Sequence, residues 1–113
     1  MKKIMYLLSI MVMVALLGCS STPTLKMDNF VKAYSTAKIS VDDAAKPLFM
    51  LINAKDGIGL KMIDKAVIYE YASKKELDKA KKDFPVMKDW PVNGLFVLES
   101  SSDRANEIFK SVQ

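Results

Sequence analysis

Histidine is absent from the 113 residues, and cysteine occurs once. The missing histidine removes the commonest general base and metal ligand. It excludes Ser-His-Asp and Cys-His machinery and every histidine-containing zinc site, so a metal could be held only by oxygen ligands. A single cysteine excludes an intramolecular disulfide, so the folded part must be stable without one. No apolar run reaches the ~20 helical residues needed to cross ~30 Å of hydrocarbon. Internal repeats and low-complexity tracts are also lacking, and no motif that would hold a cofactor is present.

What is there begins with a targeting pattern. Lys2 and Lys3 give a positive start, and Ile4 to Leu17 form an apolar run of 14 residues interrupted only by Ser9. Gly18, Cys19, Ser20 and Ser21 follow, small and polar. Charge, apolar stretch and small-residue exit are the three parts of a secretory signal. Leu16-Leu17-Gly18-Cys19 resembles the lipobox of bacterial lipoproteins, although Leu17 is larger than the residue usual at its place. The resemblance implies a diacylglyceryl thioether on Cys19 and cleavage between Gly18 and Cys19. It also implies attachment to the extracytoplasmic face of a cell membrane, with palmitate-like acyl chains as the membrane partner. Two acyl chains suffice for stable anchoring where one is marginal. An ordinary secretory signal with an incidental Cys19 is the competing reading, and the position of the lone cysteine at the end of the apolar run speaks against it.

Three segments are therefore expected: a signal over 1–18, the modified cysteine and a short tether over 19–25, and one domain over 26–113. Removal of 1–18 leaves 95 residues, enough for one domain. Four of the eight methionines leave with the signal, as do Lys2 and Lys3, so 15 basic side chains face 13 acidic ones. The basic pI of the whole chain is thus a weak argument for nucleic acid, which is not expected as a partner, and a charge-balanced solvated surface is the better reading. Ser20 to Thr24 could reach at most about 17 Å, at ~3.3–3.6 Å per residue, which keeps the domain near its membrane.

Periodicity lays out the domain. Met27, Phe30, Val31 and Tyr34 recur at spacings of three and four and predict a helix over 26–37, with Asp28 and Asn29 suited to its start. Ile39 and Val41 are isolated apolar anchors. Pro47 is placed to open a second, short helix whose apolar face is Leu48, Leu51 and Ile52, with Gly57 as a left-handed cap. Ile58, Leu60 and Met62 then alternate as in a half-buried strand, and Val67 to Tyr71 is rich in β-branched and aromatic residues. A hairpin joins the two at Asp64-Lys65, with a loop a residue or two longer than the tightest turn. Ser73 and Glu76 form a capping box for a helix that buries Leu77, Ala80 and Phe84 and ends at Pro85. Asn93-Gly94 signals a turn. Leu95 to Leu98, apolar on both faces, suits a central strand. Ser101, Ser102 or Asp103 caps a last helix with the stripe Ala105, Ile108, Phe109, Val112.

The expected fold is α+β, in the order α–α–β–β–α–β–α, with a mixed three-stranded sheet and a right-handed crossover. The segments Asn29-Phe30-Val31-Lys32-Ala33-Tyr34, Lys55-Asp56-Gly57-Ile58, Ile68-Tyr69-Glu70-Tyr71 and Leu77-Asp78-Lys79-Ala80-Lys81-Lys82 look like those of small lipoproteins of Gram-positive bacteria, mostly uncharacterised. That resemblance implies a helix, hairpin, lysine-rich helix, strand and closing helix, and says little of function.

Four groups are candidate sites. Asp56-Gly57-Ile58-Gly59 suggests a phosphate loop, but its spacing fits neither nucleotide motif and it precedes a strand rather than a helix. Asp42 and Asp43 with Asp56 or Asp64 could supply oxygen ligands, without the regular spacing of calcium loops; neither metal nor cofactor is expected. The lysine-rich helix over 74–83 carries five lysines and three acids, and pairs such as Asp78/Lys82 and Lys79/Asp83 make it a solvated face. Tyr69, Tyr71 and Trp90 form the most informative group. Both tyrosines fall on one strand face, and their rings with the indole either line a binding surface or cover the sheet beneath a helix, the latter being favoured. The leading expectation is a non-catalytic, membrane-anchored binding or interaction module whose ligand the sequence does not name, a small molecule or an envelope protein. An accessory subunit with an envelope-protein partner is the alternative, and an Asp/Glu hydrolase comes third.

Overall fold

The computed structural model describes residues 25–113; the expected signal over 1–18, Cys19 and the expected tether up to Thr24 lie outside them. Helix α1 (Met27–Thr36) opens with the Lys26 N–H donating to Asn29 Oδ1 at 2.7 Å, and buries Phe30 and Tyr34 four residues apart. It ends where Lys38 turns left-handed at φ 65°, and the chain then passes through a 3-10 turn at Asp43–Ala45.

The helix expected after Pro47 is a single 3-10 turn, Phe49–Ile52. Asn53 at φ 58° stops it, and Lys55 already donates its N–H to the Glu70 carbonyl of the sheet. A chain that must enter a strand three residues after Ile52 has no length for a helix. Gly57 is not the left-handed cap, which Asn53 supplies; it lies inside strand β1 (Asp56–Gly59).

Strand β1 pairs antiparallel with β2 (Ala66–Glu70), Ile58 opposite Ile68, so the hairpin is present. Its connection is the wider loop over 60–65. Ladder pairing stops early because Lys61 N–H turns to the Ser40 carbonyl and Leu60 bridges to Val41, yet Leu60 and Met62 still pack inward as alternation requires. Ser73 caps helix α2 (Lys74–Asp83) by accepting from the Glu76 N–H at 3.2 Å; Leu77 and Ala80 are buried. Pro85 ends it and opens a 3-10 turn, Pro85–Met87. Strand β3 (Val92–Asn93) turns at Gly94, φ 63°, into β4 (Phe96–Ser100). Ser102 then caps helix α3 (Asp103–Ser111) at the Ala105 N–H, 3.2 Å away.

The α+β class holds, but the sheet has four strands in the order β1-β2-β4-β3, and every pairing is antiparallel. The mixed three-stranded sheet with a crossover is therefore corrected. After α2 the chain runs on to the edge strand β3 and reverses at Gly94, so β4 enters antiparallel to β2, with Ile68 opposite Leu98. Strand β4 is central, as its two apolar faces indicate.

One face of the sheet carries Ile58, Ile68, Phe96 and Leu98 and is closed by α1 and α3. Phe30 sits at its middle, 4.5 Å from the Phe96 ring centre and 5.1 Å from that of Phe109. The Tyr34 hydroxyl donates to the Ala105 carbonyl at 2.7 Å, tying the two helices together. The other face carries Val67, Tyr69, Tyr71 and Val97 beneath Leu77, Ala80 and Met87. Both cores close within residues 25–113, which therefore carry what a domain needs to fold by itself. Among the described residues no helix is long and apolar enough to cross a membrane.

Candidate functional site

Side chains alternate along a strand, so Val67 and Tyr69 of β2, and Tyr71 just past its end, share a face with Val97 and Glu99 of β4. The register sets Val67 against Glu99 and Tyr69 against Val97. Helix α2 has 10 residues, about 15 Å of length, and Phe49, Ile52, Phe84 and Trp90 pack with it against this face, so that Val67 and Tyr69 are buried. Two segments outside α2 flank the face.

Residues 84–91 form one flank. Trp90 stacks on Tyr69 with ring centres 5.8 Å apart and planes 4° from parallel. Its backbone is held twice: its N–H donates to the Met87 carbonyl at 3.2 Å, and its carbonyl accepts from Lys81 Nζ at 2.9 Å. The opposite flank is the stretch over 45–52, which lies almost on the backbone of β1. A Cβ on Gly59 would stand 2.7 Å from the Ala45 carbonyl oxygen, and one on Gly57 would stand 2.8 Å from Pro47 Cγ. These two glycines, alternating on the same face, let this wall approach.

Between the flanks runs an open groove of about 520 Å³. Val67, Tyr69 and Trp90 line it, with Leu48, Leu51, Ile52 and Val86 above. Three of these are unusually bare for large apolar side chains: Leu48 is 69% exposed, Leu51 70% and Val86 65%. The charged side chains in the lining are Lys65 and Glu99, together at the Val67 end, 3.3 Å apart. Glu99 also accepts the Tyr69 hydroxyl at 3.1 Å. Burial first, then the charge and hydrogen bond of Glu99, raises the Tyr69 pKa well above the ordinary value of 10.0, so Tyr69 remains a neutral donor. Among the described residues no buried side-chain polar atom lacks a partner.

The aromatic group divides. Tyr69 and Trp90 meet in the groove. Tyr71 belongs to the core: it is fully buried, and its hydroxyl donates to the Ile52 carbonyl at 2.7 Å beside the Met87 sulfur. Burial pushes its pKa up to about 12. Asp56-Gly57-Ile58-Gly59 is a strand, in which Asp56 accepts from the Gly57 N–H and Lys46 Nζ. Asp42 is occupied locally, accepting from the Ala44 N–H. Among the described residues no three acids converge as metal ligands would. The lysine-rich helix is a solvated face, although Asp78 pairs with Lys74 at 2.9 Å rather than with Lys82.

Leu48, Leu51 and Val86 were not legible as groove residues. Leu48 and Leu51 read as the buried face of a helix, and both are exposed because the segment is a 3-10 turn with a different side-chain spacing. The Lys65–Glu99 pair joins residues 34 apart and depends on the β2–β4 register. No family model, curated protein or solved structure matches this chain.

Proposed function

We propose that this chain is an extracytoplasmic lipoprotein, anchored through Cys19, whose domain binds an apolar ligand in the groove beside Tyr69 and Trp90. The observation that carries the binding reading is the set of exposed apolar side chains, Leu48, Leu51 and Val86, that line the groove with Val67 and Tyr69. Monomeric domains seldom leave a contiguous group of large apolar side chains bare, and such a group marks a place where something else is bound. A concave apolar site with few polar groups, at about 520 Å³, falls within the ~300–1,000 Å³ of small-molecule sites. The anchor rests on Leu16-Leu17-Gly18-Cys19 and the apolar run before it.

The alternative, an accessory subunit of an envelope complex, draws on Leu48, Met50 and Leu51, three exposed apolar side chains in and beside one turn. Strand β2 is paired on both sides, and β4 is free on its outer side only at Glu99 and Ser100, too short an edge for an added strand. A protein partner would have to use side chains alone.

Two measurements test the reading separately. Intact mass and membrane fractionation of the full chain beside Cys19→Ala test the anchor. Loss of 1–18 with added acyl mass supports it, and an unlipidated soluble product removes it. For the groove, residues 25–113 are titrated with an apolar fluorescent dye. Saturable binding that Leu51→Glu abolishes supports a site there, and dye binding indifferent to that change removes it.

A further inference from the structure

The chemistry of the lining narrows what the groove can hold. Sugars and nucleotides need several free hydrogen-bonding side chains at fixed positions, and the lining is mostly hydrocarbon and indole. Tyr69, which could have served, spends its hydroxyl on Glu99. An extended peptide needs a free strand edge several residues long; β2 is paired on both sides, and β4 is free on its outer side only at Glu99 and Ser100. An acyl chain needs neither, since its transfer from water requires only apolar surface.

The charges are confined to one end. Lys65 is well exposed and Glu99 a quarter exposed, one cation and one anion facing solvent where the groove ends. Beyond Trp90 the depression continues over Ser100 and Ser101, adding hydroxyls to the same polar end. A head bearing a single charge would satisfy one member of the pair and repel the other. A head bearing a phosphate and an ammonium satisfies both, and an exposed ion pair is held weakly enough to open for it.

We infer that the groove binds a single-chain zwitterionic amphiphile, of the lysophospholipid type, with its acyl chain against Tyr69, Trp90 and Leu51 and its head between Lys65 and Glu99. This rests on the proposed binding groove and specifies its ligand. Position supports one chain rather than two. Leu25, the first described residue, approaches the Gly94 turn before β4, whereas Glu99 lies at the other end, five residues or roughly 16 Å away at ~3.3 Å per residue. The polar end of the groove is thus remote from where the anchoring segment joins. A single-chain amphiphile dissolves as a monomer and can reach it there, whereas a two-chain lipid stays in its bilayer.

Trp90 is the sole tryptophan, so its emission reports the groove without labelling. Residues 25–113 are titrated below micelle formation with decyl phosphocholine, decyl sulfate, decyl maltoside and phosphocholine alone. The expected result is a saturable blue shift with decyl phosphocholine, at least about tenfold tighter than with the sulfate or the maltoside, and none with phosphocholine alone. Leu51→Glu and Val86→Glu abolish it; both positions are exposed, and an unchanged thermal melt certifies the fold. Lys65→Ala weakens the zwitterion about tenfold and leaves the maltoside unaffected. Absence of any saturable shift, or persistence in both groove variants, overturns the proposal. Equal affinity for all three heads overturns its headgroup part. If the dye still binds in a Leu51-dependent way while no amphiphile does, the groove stands and this ligand class falls; a helical protein segment then becomes its occupant.

Discussion

The two faces of the sheet are built from the same strands, yet one is finished and the other is not. On the first, α1 and α3 run side by side, and Phe30, Phe96 and Phe109 fill the space between them with no exposed ring. On the second, α2 shares the work with two 3-10 turns and a tryptophan loop, which bury Val67 and Tyr69 but leave Leu48, Leu51 and Val86 of their own exposed along a groove. Packing explains the large apolar side chains that β1, β2 and β4 place on the first face, Ile58, Ile68, Phe96 and Leu98. It leaves Leu48, Leu51 and Val86 unexplained on the second, and that remainder is where function is to be sought.

The largest effect that separates the faces is expected at Phe109. Phe109→Ala opens a void beside Phe30 in a fully closed core, and should cost about 3–5 kcal/mol in denaturant unfolding. A loss below about 1 kcal/mol would mean that the first face is as loosely built as the second.

Next comes the wall. Gly59→Ala sets a Cβ against the Ala45 carbonyl, which must move, since the ideal separation is 2.7 Å. The expected cost is about 1–3 kcal/mol, as for other overpacked sites, together with weakened dye binding because the wall is displaced. Retained binding at full stability would show that the 45–52 stretch is not fixed by the glycines.

Alkaline pH gives a smaller and more graded effect. Tyr34 on the first face and Tyr69 and Tyr71 on the second all have pKa values raised above 10.0, in each case chiefly by burial. The native state then holds protons that the unfolded chain releases near pH 10, so these groups leave stability unchanged below about pH 10 and reduce it above. The slope approaches about 1.4 kcal/mol per pH unit for each tyrosine. Tyr69→Phe should make the fall above pH 10 shallower; an unchanged slope would mean that Tyr69 ionises equally in both states.

The smallest effect on stability belongs to the groove rim. Leu51→Glu should shift unfolding by no more than about 0.5 kcal/mol, as for other exposed positions, while removing binding. Those two results in one variant distinguish a functional surface from a structural one.

The finished face was the more legible. Phe30 and Tyr34 in α1, and Ala105 and Phe109 in α3, announce themselves by helical spacing, and Ser73 and Ser102 cap the helices that their sequence positions suggest. Local signals suffice where a local rule decides. Strand direction did not follow from them, because a two-residue strand at Val92 is too short for periodicity to register and it alone reverses the entry of β4. The groove was only half legible. Tyr69 and Trp90 stood out as aromatics, but their meeting depends on where α2 ends, and Tyr71, two residues from Tyr69, went to the core. Gly57 and Gly59 read as a cap and a strand residue; their use as a bed for the opposing wall appears only once the chain is folded.

The claim that the groove beside Tyr69 and Trp90 is a binding site is tested most directly by amide and indole NMR of labelled residues 25–113 during titration with decyl phosphocholine. The expected result is progressive shifts at Leu51, Lys65, Val67, Tyr69, the Trp90 indole and Glu99, with Phe30, Phe96 and Phe109 unmoved. Shifts centred on the first face, or none at saturating amphiphile, would contradict it.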